Sequence, residues 1–161
     1  MSVLIRAAGP PDVLALVRLR LANAQQHVEL GPTVHRLPDA GAVRDYFTDR
    51  LRSGEDELIL LAEMDDGEVA GMAEIVVRPD PPEYQILIPR RVAEVHTVVL
   101  DGHRGRGVGK ALLAAAEKIA QARRVAVLLA VIFAPNDDAV AFYISAGFGP
   151  HGLLLAKELG R

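Results

Sequence analysis

Apolar and polar positions alternate along this chain with two different periods. The opening run "SVLIRAA" (residues 2–8) is short and apolar, as a strand would be, and "GPP" interrupts it. From Asp12 to Gln25, Leu14, Val17 and Leu21, with Leu16 between them, keep the three- and four-residue spacing of an amphipathic helix. "HVELGPTVHRLP" has no period and holds two prolines, which predicts a loop. Asp39 stands where an N-cap belongs, ahead of Val43, Phe47 and Leu51, and Gly54 supplies the stop of a second helix.

Period-two and continuous apolar runs follow. "ELILLAEM" and "EVAGMAEIVVR" flank "DDG", a hairpin signal, and "PDPPE" breaks the chain again. "RRVAEVHTVVL" is β-branched and mostly apolar, the pattern of a central strand. A helix then repeats apolar residues at Val108, Leu112, Ala115, Ile119 and Ala122. "VAVLLAVIF" is almost uniformly apolar and reads as a strand buried on both faces. "PNDDAVAFYISAGF" predicts a helix from Asn136 to Gly147, and "GLLLAKEL" a last short strand. The order β-α-α-β-β-β-α-β-α-β makes the fold class α/β (α+β): a mixed, mostly antiparallel central sheet, a parallel late β-α-β unit and flanking helices.

Composition narrows the function classes. A length of 161 residues, without repeats, low-complexity tract or linker, fits a single domain over 1–161. Half the residues are hydrophobic but only 4% are aromatic, so the core is built from Leu, Val, Ile and Ala. A net charge of −3 argues against a nucleic-acid partner, which asks for a basic face. There is no cysteine, which excludes disulfides, thiolate metal sites and a catalytic thiol. Charged residues at Arg6, Asp12, Arg18 and Arg20 break any N-terminal leader-like run, and the longest uncharged apolar run, Val125 to Ala134, is too short to span a bilayer. The expectation is a cytoplasmic protein with no membrane partner.

Against this mildly acidic background, "DGHRGRGVGKALLAAAEK" (residues 101–118) concentrates His103, Arg104, Arg106 and Lys110 around Gly105, Gly107 and Gly109. A strand that leads through glycines into a helix exposes unpaired backbone N–H groups at the positive end of the helix dipole, which suits an anion such as a pyrophosphate. Two familiar phosphate loops fail here. A Walker A loop needs Gly where Arg104 stands and Ser or Thr where Ala111 stands. A dinucleotide fingerprint needs Gly at the position of Lys110.

The pattern that fits is Arg/Gln-x-x-Gly-x-Gly/Ala, met by Arg104, Gly107 and Gly109 in "RGRGVG". It resembles the acyl-CoA loop of the GNAT superfamily of N-acetyltransferases. The likeness extends through "VHTVVLDGHRGRGVGKALL" and through "PNDDAVAFYISAGF", which is similar to that family's Asn-x-x-Ala-x-x-Phe-Tyr-x-x-x-Gly-Phe segment, and the element order matches from end to end. One departure is "DG" at 101–102, where the family often has Pro. The resemblance implies acetyl-CoA as co-substrate, with no metal, and an amine-bearing acceptor. It implies that the amides of Arg104, Gly105, Arg106, Gly107, Val108, Gly109 and Lys110 hold the CoA pyrophosphate. It also implies that Thr97, Val98 and Val99 pair their main chain with the pantetheine arm, and that Asn136 adds a CoA contact besides its N-cap role. Members of the family are often dimers, so a homodimer fits the resemblance.

Acyl transfer to an amine needs a neutral amine, a polarised carbonyl and a protonated leaving thiolate. Without cysteine, direct attack is favoured over an acyl-enzyme. A lysine-like amine with pKa ~10.4 is neutral in only about one part in 2,000 at pH 7, so a base is worth roughly 4–5 kcal/mol. Glu94 and His96, two apart on the putative central strand, face one side unless a bulge intervenes, and either is a candidate base. Tyr143, seven residues after Asn136, matches the tyrosine that GNAT enzymes place near the thioester sulfur; a core aromatic is the competing role. His27, His35 and Arg36 lie where the family shapes its acceptor pocket, but the expectation for them is a surface role rather than a ligand role. Two function classes stay open: an N-acetyltransferase, and a non-catalytic CoA-binding sensor or regulatory module.

Overall fold

The computed structural model describes residues 2–53 and 57–160. The chain divides into two compact units, Met1–Val131 and Ile132–Arg161.

In the first unit, the apolar run at the start forms β1 (Val3–Ala7) and the periodic stretch after it forms α1 (Val13–Leu30). This helix runs five residues past the sequence expectation of Gln25. "HVEL" contains nothing that resists helix, so the stop waits for Gly31, whose N–H donates to His27, and for Pro32. Asp39 begins α2 (Ala40–Ser53) as expected, with its carboxylate accepting the Ala42 N–H at 2.9 Å. The Gly54 stop lies outside the described residues.

The three central strands β2 (Glu57–Met64), β3 (Val69–Val77) and β4 (Val92–Val99) appear where the patterns place them. The helix α3 (Val108–Ala122) then returns the chain to β5 (Val127–Leu129). Strand order in the sheet is β1-β2-β3-β4-β5, antiparallel throughout except for the parallel pairing of β4 with β5. The unbroken apolar run 125–133 yields a strand of only three residues, because a strand lasts only as long as its partner stays within hydrogen-bonding reach. The pairing runs from Val92↔Val127 to Glu94↔Leu129 and then stops. β5 is half-buried rather than covered on both faces.

Alternation divides the sheet residues between two layers. On one face Ile59, Leu61, Met72 and Val98 pack under Leu16 and Leu19 of α1 and Val43 and Phe47 of α2. The other face receives α3 through Val108, Leu112, Leu113, Ala116 and Ala120. That buried stripe differs from the expected one: Ala122 is exposed, while Leu113 and Ala116 point inward. Gly71 makes the close packing on this side feasible. A Cβ there would fall 2.7 Å from the Val98 carbonyl oxygen and 3.1 Å from a Leu112 methyl.

In the second unit, Asn136 opens α4 (Asp137–Ser145), its side chain accepting the Ala139 N–H at 3.2 Å. Tyr143 is buried, edge-on to Phe142 at 5.0 Å and to Phe148 at 5.2 Å. The expected strand at 152–159 is absent. Residues 149–160 are exposed and lack regular structure, with Leu154 92% exposed. Its leucines have the composition of a strand, but no described segment of its own unit offers a strand edge to pair with, and composition cannot replace a ladder.

Candidate active site

The site begins where β4 leaves the sheet. Arg78 donates its N–H to the Val92 carbonyl and Leu100 to the Ala70 carbonyl, both across the β3–β4 pair. This parity turns the main-chain groups of Val92, Glu94, His96 and Val98 towards β3 and those of Val95, Thr97 and Val99 to the other side. On that other side β5 pairs only as far as Glu94. The far half of β4 is therefore an open strand edge where Thr97 and Val99, but not Val98, present hydrogen-bonding groups. The Thr97 hydroxyl lies on the α3 face, buried and without a hydrogen-bond partner among the described residues.

After β4 the chain makes a single 3-10 turn, Asp101–His103, and enters the glycine loop. Gly105 has φ +73° and Gly107 φ +82°, left-handed values that glycine adopts without a Cβ penalty. Gly107 also occupies the N-cap position of α3 and has no side chain to cap it, so the first amides of the helix are left without a side-chain acceptor. The N–H groups of Val108, Gly109 and Lys110 precede the first intrahelical bond, Ala111 to the Gly107 carbonyl, and point out of the helix end. Val108 anchors the loop, only 1% exposed, while Arg104, Arg106 and Lys110 stay in solvent.

Helix α1 ties the loop down. Gln26 donates to Asp101 at 2.8 Å and accepts a hydrogen bond from the Arg104 guanidinium. Arg104 also donates to the Val99 carbonyl at 3.2 Å, one of the groups on the open β4 edge. His103 meets Glu68 at 3.2 Å, and Glu68 in turn pairs with Arg18 at 3.0 Å. Between α1 and the end of β4 runs a groove of about 250 Å³, lined by Ala22, Asn23, Gln26, Val98, Val99 and Asp101 among others. Gln26 carries no motif, and no local signal marks it in the sequence.

Glu94 and His96 do share a face, because the β3–β4 register runs without a shift from Gly71↔Val99 to Val77↔Ala93. They lie on the α1/α2 side, with His96 Nε2 3.8 Å from a Glu94 oxygen and Glu94 ion-paired to Arg78. Opposite His96 stands Glu74, 2% exposed, which sequence reading passed over. A lone carboxylate inside the apolar run "VAGMAEIVV" was the available signal. Glu74 accepts from Arg20 at 2.8 Å and from the Tyr46 hydroxyl at 2.5 Å. Burial, reinforced by that carboxylate, pushes the Tyr46 hydroxyl up to about 12. Tyr46 thus stays a neutral donor, and the carboxylate is doubly satisfied. His27 Nδ1 lies 2.9 Å from the Asn23 carbonyl and its ring is edge-on to His35 at 5.0 Å. Arg36 lies in the connection between α1 and α2.

Tyr143 and Asn136 belong to the second unit, where Asn136 caps α4 and Tyr143 is packed among aromatic rings. The family profile described as Acetyltransferase (GNAT) family matches residues 24–148, well over half of the chain. The chain belongs to the GNAT acetyltransferase family. Membership carries acyltransferase chemistry, and acetyl-CoA is the donor the family uses. A search of curated protein sequences finds no significant match. Solved structures share the GNAT fold. A mutant of the BH1408 protein from Bacillus halodurans superposes with a TM-score of 0.89 at 21% identity, covering 97% of this chain and 99% of its own. AAC(6')-Iy in complex with the bisubstrate analog CoA-S-monomethyl-acetylneamine gives 0.73 at 21% identity, with 98% and 99% covered. Glucosamine-6-phosphate N-acetyltransferase from Arabidopsis thaliana gives 0.67 at 15% identity, with 99% and 100% covered. No helix among the described residues is long and apolar enough to cross a membrane.

Proposed function

We propose that this GNAT protein is an acetyl-CoA-dependent N-acetyltransferase that acylates a primary amine by direct attack. The observation that carries the reading is one juxtaposition. An open strand edge at Thr97 and Val99 runs directly into an uncapped helix N-terminus with two left-handed glycines. An extended amide-bearing arm that ends in a diphosphate has the shape and chemistry for both halves. The arm's amides would extend the β4 ladder, and the diphosphate would take the N–H groups of Val108, Gly109 and Lys110. Arg106 and Lys110, which make no ion pair with other described residues, would add positive charge there. Arg104 would exchange its bond to the Val99 carbonyl for a phosphate oxygen, leaving that carbonyl for the substrate arm.

The chemistry then needs a proton removed and a proton supplied. Glu94 and His96 stand together on the α1/α2 face, so either can take the ammonium proton directly or through water. The amine nitrogen attacks the thioester carbonyl, the tetrahedral intermediate collapses, and the C–S bond breaks. Tyr143, at the family's tyrosine position, would donate a hydrogen bond or its proton to the departing thiolate. The other carboxylate on this face, Glu74, is buried and held by Arg20 and Tyr46, so it shapes the floor of the site.

The test is CoA thiol release from acetyl-CoA against a panel of amines: a polyamine, an aminoglycoside, amino acids and a peptide N-terminus. Turnover with at least one class, absent without amine, is the expected result. CoA binding by calorimetry with no turnover on any amine would turn the reading to a sensor or regulatory module.

A further inference from the structure

Arg104 sits on a group that an arm added to β4 would need. Its Nε–H donates at 3.2 Å to the carbonyl of Val99, the last residue of β4. Leu100, next along, turns its main chain to β3 through its bond to Ala70. The Val99 carbonyl is therefore the last acceptor on the open edge before the glycine loop, and an arm that extends the ladder meets the guanidinium there. Two side chains hold the guanidinium in place. Asp101 Oδ1 lies 3.3 Å from Nε, and a terminal N–H donates to the Gln26 side-chain oxygen. The Gln26 amide donates in turn to the same Asp101 oxygen at 2.8 Å, which orients that amide with its nitrogen to the carboxylate and its oxygen to the arginine. Asp101, Gln26 and Arg104 thus close a ring of three side chains, and Asp101 and Gln26 line the groove between α1 and the end of β4.

Asp101 is the acid of "DG", the place where this chain departs from the proline that GNAT sequences often carry. A proline has no side-chain acceptor, so the arginine-and-glycine motif does not build the ring by itself. Asp101 and Arg104 are both exposed, so water and salt weaken their pair and the guanidinium leaves it at small cost. What draws it away is the far end of the ligand. A diphosphate at the amides of Val108, Gly109 and Lys110 offers Arg104 a partner of higher charge than one carboxylate. A pantetheine thioester without a diphosphate offers none, and its arm has to break the bond to Val99 without compensation. We propose that Arg104, held by Asp101 and Gln26, gates the β4 edge and so selects thioesters that carry a diphosphate over pantetheine thioesters that lack one. The proposal rests on the acetyl-CoA reading and names the residue that discriminates between donors.

Two-dimensional NMR titrations of the full chain, following the Thr97 and Val99 amides, test it with CoA and with uncharged pantetheine as the two probes. Arg104→Ala is expected to bind CoA about tenfold more weakly and pantetheine about threefold more tightly. Loss of a phosphate contact alone cannot give that crossing. Asp101→Ala is a second, separate variant and is expected to tighten pantetheine by a similar factor. Since pantetheine carries no charge, relief of repulsion does not account for such a gain. Arg106→Ala removes a loop cation that makes no bond to Val99, so it is expected to weaken CoA and leave pantetheine at parental affinity. Thermal melts near the parent's show that these exposed substitutions leave the fold intact. Pantetheine affinity no tighter than the parent's in Arg104→Ala and Asp101→Ala, or an equal gain in Arg106→Ala, would overturn the gate while CoA binding by the parent stands. A parent that binds neither probe would overturn the acetyl-CoA reading itself, and the gate with it.

Discussion

Replacing Gly107 by asparagine separates what the loop does for folding from what it does for an anion. Gly107 sits at φ +82°, ψ 3° as the residue that opens α3. Nothing lies within 4 Å of a Cβ built on it, so a substitution there meets strain but no clash. For Gly107→Ala the strain is the left-handed penalty of an ordinary L-residue, about 1–2 kcal/mol. In a chain of this size that lowers Tm by roughly 2–8 °C. Asparagine enters the left-handed region far more readily, so Gly107→Asn is expected to melt closer to the parent. Both substitutions place a side chain beside the outward amides of Val108, Gly109 and Lys110. CoA affinity is therefore expected to fall at least tenfold in both, about 1.4 kcal/mol, which is within the contribution of a helix N-terminus to a bound anion. Differential scanning calorimetry and isothermal titration with CoA measure the two quantities separately. A Gly107→Asn protein with parental melting and parental CoA affinity would refute the assignment of the diphosphate to this helix end.

Three further outcomes are expected. Tyr143→Phe keeps the aromatic packing on Phe142 and Phe148 and deletes one hydroxyl, so turnover should fall ~10²-fold with CoA affinity unchanged; parental turnover would leave Tyr143 as a packing residue. Glu94→Gln and His96→Ala, assayed from acid to alkaline pH on a high-pKa amine, should differ from each other, with the true base losing most at low pH. Three superimposable profiles would clear both residues of that role. Asp12, held below its ordinary value of 3.8 mainly by hydrogen bonds from Arg6, is a stability switch at the acid end. Its folded pKa is depressed, so its contribution is complete above 3.8 and is lost as pH falls through the lower folded value. Thermal melts of Asp12→Asn should show a flatter acid limb than the parent, and identical limbs would assign the acid sensitivity elsewhere.

The backbone of the glycine loop was legible because it is local. Glycines at 105 and 107, a helix former behind them and cations around them specify left-handed turns and exposed amides within one short stretch of chain. The Asn136 cap, the Asp39 cap and the alternation that puts Glu94 beside His96 were readable for the same reason. Termini and edges were not. "VAVLLAVIF" and "GLLLAKEL" both have strand composition, yet one yields three paired residues and the other none, because pairing depends on a second backbone that the run itself does not contain. The polar ties were hidden by separation along the chain. Arg20 reaches Glu74 across 54 positions, Tyr46 reaches it across 28, and Arg104 reaches Gln26 across 78. No period or motif encodes such contacts. By itself the sequence determined the local backbone of the loop and the faces of the strands. Only the packing of α1 and α2 on the sheet decided that Glu74 would be buried with two donors and that α1 would hold the loop, since a desolvated carboxylate persists only where distant donors converge on it.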